Sequence, residues 1–261
     1  MPTAPVTHAV ATTVAVHRIE GWRPSTDQVD ALHAIATDGL SVVEYLQTCR
    51  DRHPPPQHPR RRLRLGRSTP YLLPGTQLLR NEFGVTTAEA LADLEYSASA
   101  ARMVSWLRAP QAPPQEALDV RTLHRHLFGD SYGWAGHYRI VELRRGRTVF
   151  GSVSTIEARM DEVHATARDL VAGDADGPRL AYELARLYAT YNQIHPFREG
   201  NGRAGAVLLL EIAARCGRHL DLTWITREQW YAAAADSMPL RGGGGRVSHR
   251  PFLYLLNRAL T

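Results

Sequence analysis

The sequence predicts a mainly α-helical protein with one β-hairpin, on three observations. Helix starts of the capping-box form Ser/Thr-x-x-Glu/Gln recur, at Ser41–Glu44, Thr86–Glu89, Ser154–Glu157 and Thr226–Gln229. Between them apolar residues return with the helical period, as in Leu180, Leu184, Leu187, Tyr188 and Tyr191. Only one pair of segments reads as a strand pair, Tyr138 to Leu143 with Arg147 to Val149, turning at Arg145-Gly146.

Taken in order, a first helix ends near Glu20-Gly21, with Gly21 as its stop. A second runs from Ser25 or Thr26 to Gly39, and a third from the Ser41 box to about Arg52. The prolines of His53 to Pro59 forbid helix and favour an extended spacer. Arg60 to Arg64 follows as a solvated basic flank; no aromatics interleave for base stacking, so nucleic acid is not the expected partner. The chain therefore divides into a helical module (1–53), a Pro/Arg-rich linker (54–67) and a main domain (68–261). In that domain the Thr86 box opens a helix reaching about Leu107, and the Ser154 box opens one stopping at Gly173. Pro178 suits the first position of the next helix, and Ala204 to Ile212 marks another that begins around Gly202. Gly242 to Gly245 reads as a loop.

At 261 residues, 44% hydrophobic and 22% charged, the composition is that of a soluble globular protein. No apolar run is long enough to span a bilayer, and the N-terminus lacks a signal-peptide pattern, so a cytoplasmic protein away from membranes is expected. Cys49 and Cys216 have no ligand spacing and read as idle thiols. The 31 basic residues contain no lysine. This excludes a P-loop lysine, a pyridoxal Schiff base and a kinase β3 lysine. Any phosphate must be met by arginine, backbone amides and metal. A net charge of +5 suits an anionic ligand.

The densest chemistry lies in His195-Pro196-Phe197-Arg198-Glu199-Gly200-Asn201-Gly202-Arg203. Pro196 ends the preceding helix, and the free amides at the next helix start make an anion site. Gly200 and Gly202 remove side chains where phosphate oxygens would touch backbone. Arg203 adds a fork-shaped charge, Glu199 a hard oxygen ligand for Mg²⁺, and His195 a proton acceptor near neutral pH. These parts form a phosphoryl or nucleotidyl transfer site.

The string His195 to Arg203 matches the motif of the Fic family at each defining position. The resemblance extends to Tyr71 to Thr76 and Leu79 to Thr86, which are similar to the N-terminal signature of Fic toxins of toxin–antitoxin pairs, and to Leu123 to Phe128 and Tyr132 to Arg139, which resemble the segment leading into the family's flap hairpin. It implies a Fic-fold helical domain that moves AMP from ATP to a Tyr, Ser or Thr hydroxyl of a target protein. By the same resemblance His195 is the catalytic base, Glu199 holds Mg²⁺, and Gly200, Asn201 and Gly202 bind phosphate with Arg203. Phe197 anchors the loop, and a flap carrying Val141, Glu142, Leu143, Val149 and Phe150 clamps the target as an added strand. DNA gyrase or another topoisomerase is the implied target. His124 and His126, two apart on a helix, face different ways and read as packing or surface residues rather than metal ligands. AMP-transferring members usually carry a second arginine three residues after Arg203; here Ala206 stands there. That departure leaves open transfer of another phosphate-containing group, or a degenerate nucleotide-binding or nucleic-acid-binding regulator.

Fic toxins are commonly silenced by a helix-borne glutamate in the pattern Ser/Thr-xxx-Glu-Gly. Val16-His17-Arg18-Ile19-Glu20-Gly21 resembles it, with Val16 in the hydroxyl position. The resemblance implies that the 1–53 module is an antitoxin-like partner fused to the enzyme, with Glu20 as its inhibitory residue. Without an arginine at 206, Glu20 must use Arg203 or block the outer-phosphate pocket.

Overall fold

The computed structural model describes residues 5–54, 70–110, 112–146, 148–239 and 246–261. The basic flank Arg60 to Arg64, most of the linker and the Gly242 to Gly245 loop lie outside them.

Eleven helices are described: α1 Val6–Ile19, α2 Thr26–Ala36, α3 Val42–Arg52, α4 Ala88–Arg108, α5 Pro114–Ala117, α6 Val120–Phe128, α7 Ile156–Ala172, α8 Gly177–Ile194, α9 Asn201–Arg215, α10 Arg227–Asp236 and α11 Arg250–Ala259. A 3₁₀ turn, Val153–Thr155, leads into α7. The single sheet among the described residues is a hairpin, β1 Arg144–Arg145 and β2 Thr148–Val149. The domain core forms around α8, which packs against α7, α9 and α11, while α4 carries α1, α2 and α3 on its surface. One continuous apolar cluster runs from Val10 through Leu94 and Tyr188 to Ala259.

Local rules explain most starts and stops. Ser41 and Thr226 form complete capping boxes with Glu44 and Gln229, and Ser25 forms a further one with Gln28. Gly21, at φ +106°, turns the chain out of α1 as a C-terminal glycine should. Two predicted caps are corrected. Thr87, not Thr86, caps α4 by accepting from the Ala90 N–H; the two threonines offer the same hydroxyl one residue apart. The Ser154 box does not form, because the Ser154 hydroxyl sits 3.1 Å from Ser152 Oγ, which donates to Glu142. Helix α2 also ends at Ala36, short of Gly39.

The hairpin is shorter than predicted. Arg144 pairs with Val149 and Arg145 with Thr148, and one further bond runs from Phe150 N–H to the Leu143 carbonyl. Tyr138 to Leu143 is not a strand, because its backbone is drawn elsewhere. The Arg139 N–H donates to the Pro196 carbonyl and the Ile140 N–H to the Tyr71 hydroxyl.

Helix α1 is buried nearly all round. Ala9, Val10, Thr12, Thr13, Val14, Ala15, Val16, His17 and Ile19 are all enclosed, between α2, α4, α9 and α10. A helix apolar on every side belongs inside a core. Both cysteines are free thiols, and no described helix is long and apolar enough to cross a membrane.

Candidate active site

The loop between α8 and α9 is held by side chains that leave it little freedom. Pro196 prevents α8 from continuing, and His195 takes the left-handed conformation, φ 51°, ψ 63°, as its C-cap. Asn201 then clasps the loop: its Oδ1 accepts the Phe197 N–H at 2.8 Å and its Nδ2 donates to the Phe197 carbonyl at 2.9 Å. Both polar atoms of the Asn201 side chain are therefore engaged with Phe197, so what Asn201 offers the hollow is its backbone. Its backbone N–H remains, with those of Gly202 and Arg203, because the first intrahelical bond of α9 is made by Ala204 to Gly200. Phe197 is fully buried and stacks on His124, whose Nε2 donates to the Glu199 carbonyl at 2.9 Å. His124 is thus a packing residue, as expected. Gly200 sits at φ +80°, and a Cβ there would meet the buried Phe128 ring at 2.4 Å.

Arg139, 1% exposed, ties this loop to the base of the flap. Its Nε donates to the His195 carbonyl at 2.9 Å, Nη1 to Val141 at 2.7 Å, and Nη2 to the carbonyls of Ile194 and Gly151. A guanidinium here neutralises the negative end of α8 where His195 must be aimed. Arg139→Ala leaves four carbonyls without their donor and is expected to destabilise the fold by about 3–5 kcal/mol. Urea unfolding measures this, and a loss under about 1 kcal/mol would remove Arg139 from the framework.

A second network lies under the start of α9. Arg203 is 3% exposed and pinned between the rings of Tyr96 and Phe128, at 5.0 and 4.6 Å. Its Nη2 donates to Glu95 Oε1 at 2.5 Å and lies 3.8 Å from Glu199 Oε1; its Nη1 donates to Ser99 Oγ at 3.0 Å. Glu95 also accepts from the Tyr132 hydroxyl. His17 Nδ1 donates to the Thr13 carbonyl, leaving Nε2 to accept from Ser99. Arg203 is held well above its usual pKa by Glu95, Glu199 and Glu20, against the opposing effect of burial. Burial, then Glu95, raise the Glu199 carboxyl, and Arg203 opposes them. None of Glu95, Ser99, Tyr132, His17 or Arg139 was singled out from sequence as a site residue. Tyr132, Arg139 and His17 fell only within longer resembling segments, and Glu95 and Ser99 showed only helical spacing.

Above this network opens a hollow of about 350 Å³. His195, Glu199, Asn201, Gly202, Arg203 and Glu20 line it, joined from the flap by Leu143 and Phe150. Gly200 lies beneath, against Phe128. Of the remaining flap residues, Val141 accepts from Arg139, Val149 points outward at 40% exposure, and Glu142 receives the Ser152 hydroxyl and Val153 N–H. Glu142 thus ties the flap to the 3₁₀ turn. The Phe150 ring stacks on His195 at 3.9 Å. Burial lowers the His195 pKa to about 3, with Arg139 and Arg145 acting in the same direction and the Asn192 backbone opposing them.

Glu20 reaches into the hollow from the end of α1. Its carboxylate lies so close over Gly202 that a Cβ there would come within 1.9 Å of Oε1. Oε2 accepts from the Tyr231 hydroxyl at 3.2 Å, and the Glu20 carbonyl accepts from Tyr96 at 2.8 Å. No ion pair within 4.0 Å joins Glu20 to Arg203 among the described residues, and the carboxylate lies over the start of α9.

Comparison with known proteins agrees with this geometry. The Fic/DOC family model matches residues 114–213. The chain is 35% identical over 157 residues to the probable protein adenylyltransferase y4lH of Sinorhizobium fredii, covering 58% of this chain and 79% of that one. It is 31% identical over 171 residues to the probable protein adenylyltransferase Fic of Escherichia coli K12, covering 63% and 82%. Among solved structures, the BepC protein of Bartonella tribocorum, with bound AMPPNP, superposes with a TM-score of 0.64 at 21% identity, over 73% of this chain and 96% of that one. A helical domain with a hairpin flap over a His-to-Arg anion loop defines the Fic class of nucleotidyltransferase fold. The chain belongs to the Fic/DOC family.

Proposed function

We propose that the chain transfers AMP from ATP to a Tyr, Ser or Thr hydroxyl of a target protein and is held at rest by its own Glu20. One observation carries this reading: His195 and the open amides of α9 face the same hollow, where a carboxylate of the chain itself already lies against Gly202. The target oxygen attacks the α-phosphorus, a P–O bond forms, the α–β anhydride bond breaks and pyrophosphate leaves. The hydroxyl proton passes to His195, whose Nδ1 is buried, leaving Nε2 as the acceptor. The low pKa keeps the ring neutral and able to accept, and an incoming triphosphate favours the imidazolium that results. Arg139 aims the ring through the His195 carbonyl, and Asn201 keeps the helix start open toward the phosphates.

Mg²⁺ fits Glu199. The carboxylate is partly exposed, a cation would relieve its repulsion with Glu95, and among the described residues no cluster of three or more His, Cys, Asp or Glu competes for it. An ion held by one carboxylate together with substrate phosphates and water is usual for Mg²⁺, and it would neutralise the phosphates and stabilise the leaving pyrophosphate. A target such as DNA gyrase or another topoisomerase belongs to this reading through the family resemblance, and a cytoplasmic setting through the sequence pattern.

Glu20→Gly tests it. A tethered carboxylate acts at an effective concentration of roughly millimolar, so its removal is expected to raise labelling from α-³²P-ATP by about tenfold or more. Equal labelling by the intact protein and Glu20→Gly would remove Glu20 from the account. Ala206 favours a second reading, transfer of another phosphate-containing group. Label from γ-³²P-ATP and none from the α position would select it.

A further inference from the structure

A triphosphate carries more charge than the α9 amides, one metal and Arg203 balance, and Arg203 already faces Glu95. Position 206, one turn along α9, offers only a buried methyl. Yet two other cations stand at the same opening. The Arg145 guanidinium, from the flap, lies over the Tyr231 ring at 4.8 Å, and that of Arg227, from the first turn of α10, lies over it at 4.6 Å. Both line the hollow with Glu20, and the Tyr231 hydroxyl donates to Glu20 Oε2. A Cβ on Gly21 would fall 2.0 Å from Arg227 Nη1, so this guanidinium rests against the residue next to Glu20. Neither arginine pairs with a carboxylate within 4.0 Å among the described residues.

We infer that Arg145 and Arg227 bind the β- and γ-phosphates of the nucleotide when Glu20 withdraws, supplying from the flap and α10 the cation that α9 lacks at position 206. The inference rests on the reading of the site as an ATP site and names which residues select the triphosphate. The resting geometry supports it. A guanidinium over a ring face near water is weakly held, whereas its fork geometry suits two phosphate oxygens in charge-assisted bonds. The Glu20 carboxylate lies in the hollow that both arginines line, and the Tyr231 hydroxyl beneath their guanidiniums donates to it. Because Arg145 belongs to the hairpin, nucleotide binding would also draw the flap down over the hollow. Nucleoside monophosphates lack the groups these arginines reach, so the pair discriminates by phosphate number.

The experiment is titration calorimetry in the Glu20→Gly background with Mg²⁺ and α,β-methylene-ATP, which cannot transfer AMP, and in parallel with AMP. Arg145→Gln and Arg227→Gln are each expected to weaken the triphosphate analogue about tenfold, and together about a hundredfold, while AMP binding shifts less than about threefold. Arg258, which lies over Trp224 at 4.2 Å away from the hollow, is the matched control, and Arg258→Gln is expected to change neither. Because Arg145 is exposed and Arg227 half-buried, unaltered thermal melts will confirm that the variants fold. Undiminished binding of the analogue by the double variant overturns the inference and leaves the ATP reading standing. Failure of the Glu20→Gly protein itself to bind the analogue overturns both.

Discussion

In the Glu20→Gly background, His195→Ala is expected to lower AMP transfer by about 10²–10⁴-fold while leaving nucleotide affinity nearly unchanged. The asymmetry follows from the position of the ring. His195 sits outside the α9 amides and makes its structural bonds through backbone atoms, N–H to Tyr191 and carbonyl to Arg139, which alanine keeps. The ring itself contributes stacking with Phe150 and a proton-accepting nitrogen. Removing it takes away the base without dismantling the loop. Single-turnover labelling beside calorimetry separates the two effects. If transfer survived within tenfold, the target hydroxyl would be losing its proton elsewhere and the assignment of His195 would fail.

Acid should begin to destabilise this protein above the pH at which its carboxylates titrate. Three imidazoles, His17, His124 and His195, have pKa values lowered to about 3, in each case chiefly by burial, from an ordinary 6.5. In the unfolded chain they regain that ordinary value. Between about pH 6.5 and 3 the unfolded state therefore binds more protons, so stability is full above 6.5 and is lost progressively as pH falls. Each group contributes at most on the order of 1 kcal/mol per pH unit, so the three together give at most a few kcal/mol per unit. Against a total stability on the order of 5–15 kcal/mol, two pH units take a large share. His17 and His124 are 0% exposed, whereas His195 is partly open and contributes least. Urea unfolding at pH 7.5, 6.5, 5.5 and 5.0 measures the slope, and His124→Gln should flatten it by about a third. A midpoint that stays level from pH 7 to 5 would show that these rings keep access to water.

The acid dependence rests on residues whose importance sequence concealed, and the contrast with the loop is instructive. His195 to Arg203 was legible because an anion site at a helix start is contiguous: the proline that ends one helix, the glycines and the arginine are neighbours in the chain. Glu20 was legible only through the Glu-Gly resemblance, yet its carboxylate reaches the same helix start. Arg139, Glu95, Ser99 and His17 act across tertiary contacts 56, 108, 104 and 82 residues apart in sequence, and no local pattern encodes such partners. The helical elements followed their caps where one hydroxyl was available, as at Ser41 and Thr226, and slipped where two competed, as at Thr86 and Thr87. The flap misled because alternation along Tyr138 to Leu143 resembles a strand. Its backbone donors and the Arg139 side chain instead serve the end of α8 and Tyr71.

On the proposed reading of Glu20, the enclosure of α1 constrains how the site could be released. In the separate-antitoxin arrangement a silencing helix can come away whole; here the helix bearing Glu20 is a pillar of the building, with Val10, Val16 and Ile19 in the shared interior and His17 bonded to the hydroxyl that steadies Arg203. Pulling it out would take away part of the shared core and the His17 support of Ser99 beneath Arg203. If Glu20 holds the site at rest, as proposed, its release falls to the last turn, where the side chain next to the left-handed Gly21 would move while the rest of the column stays in place.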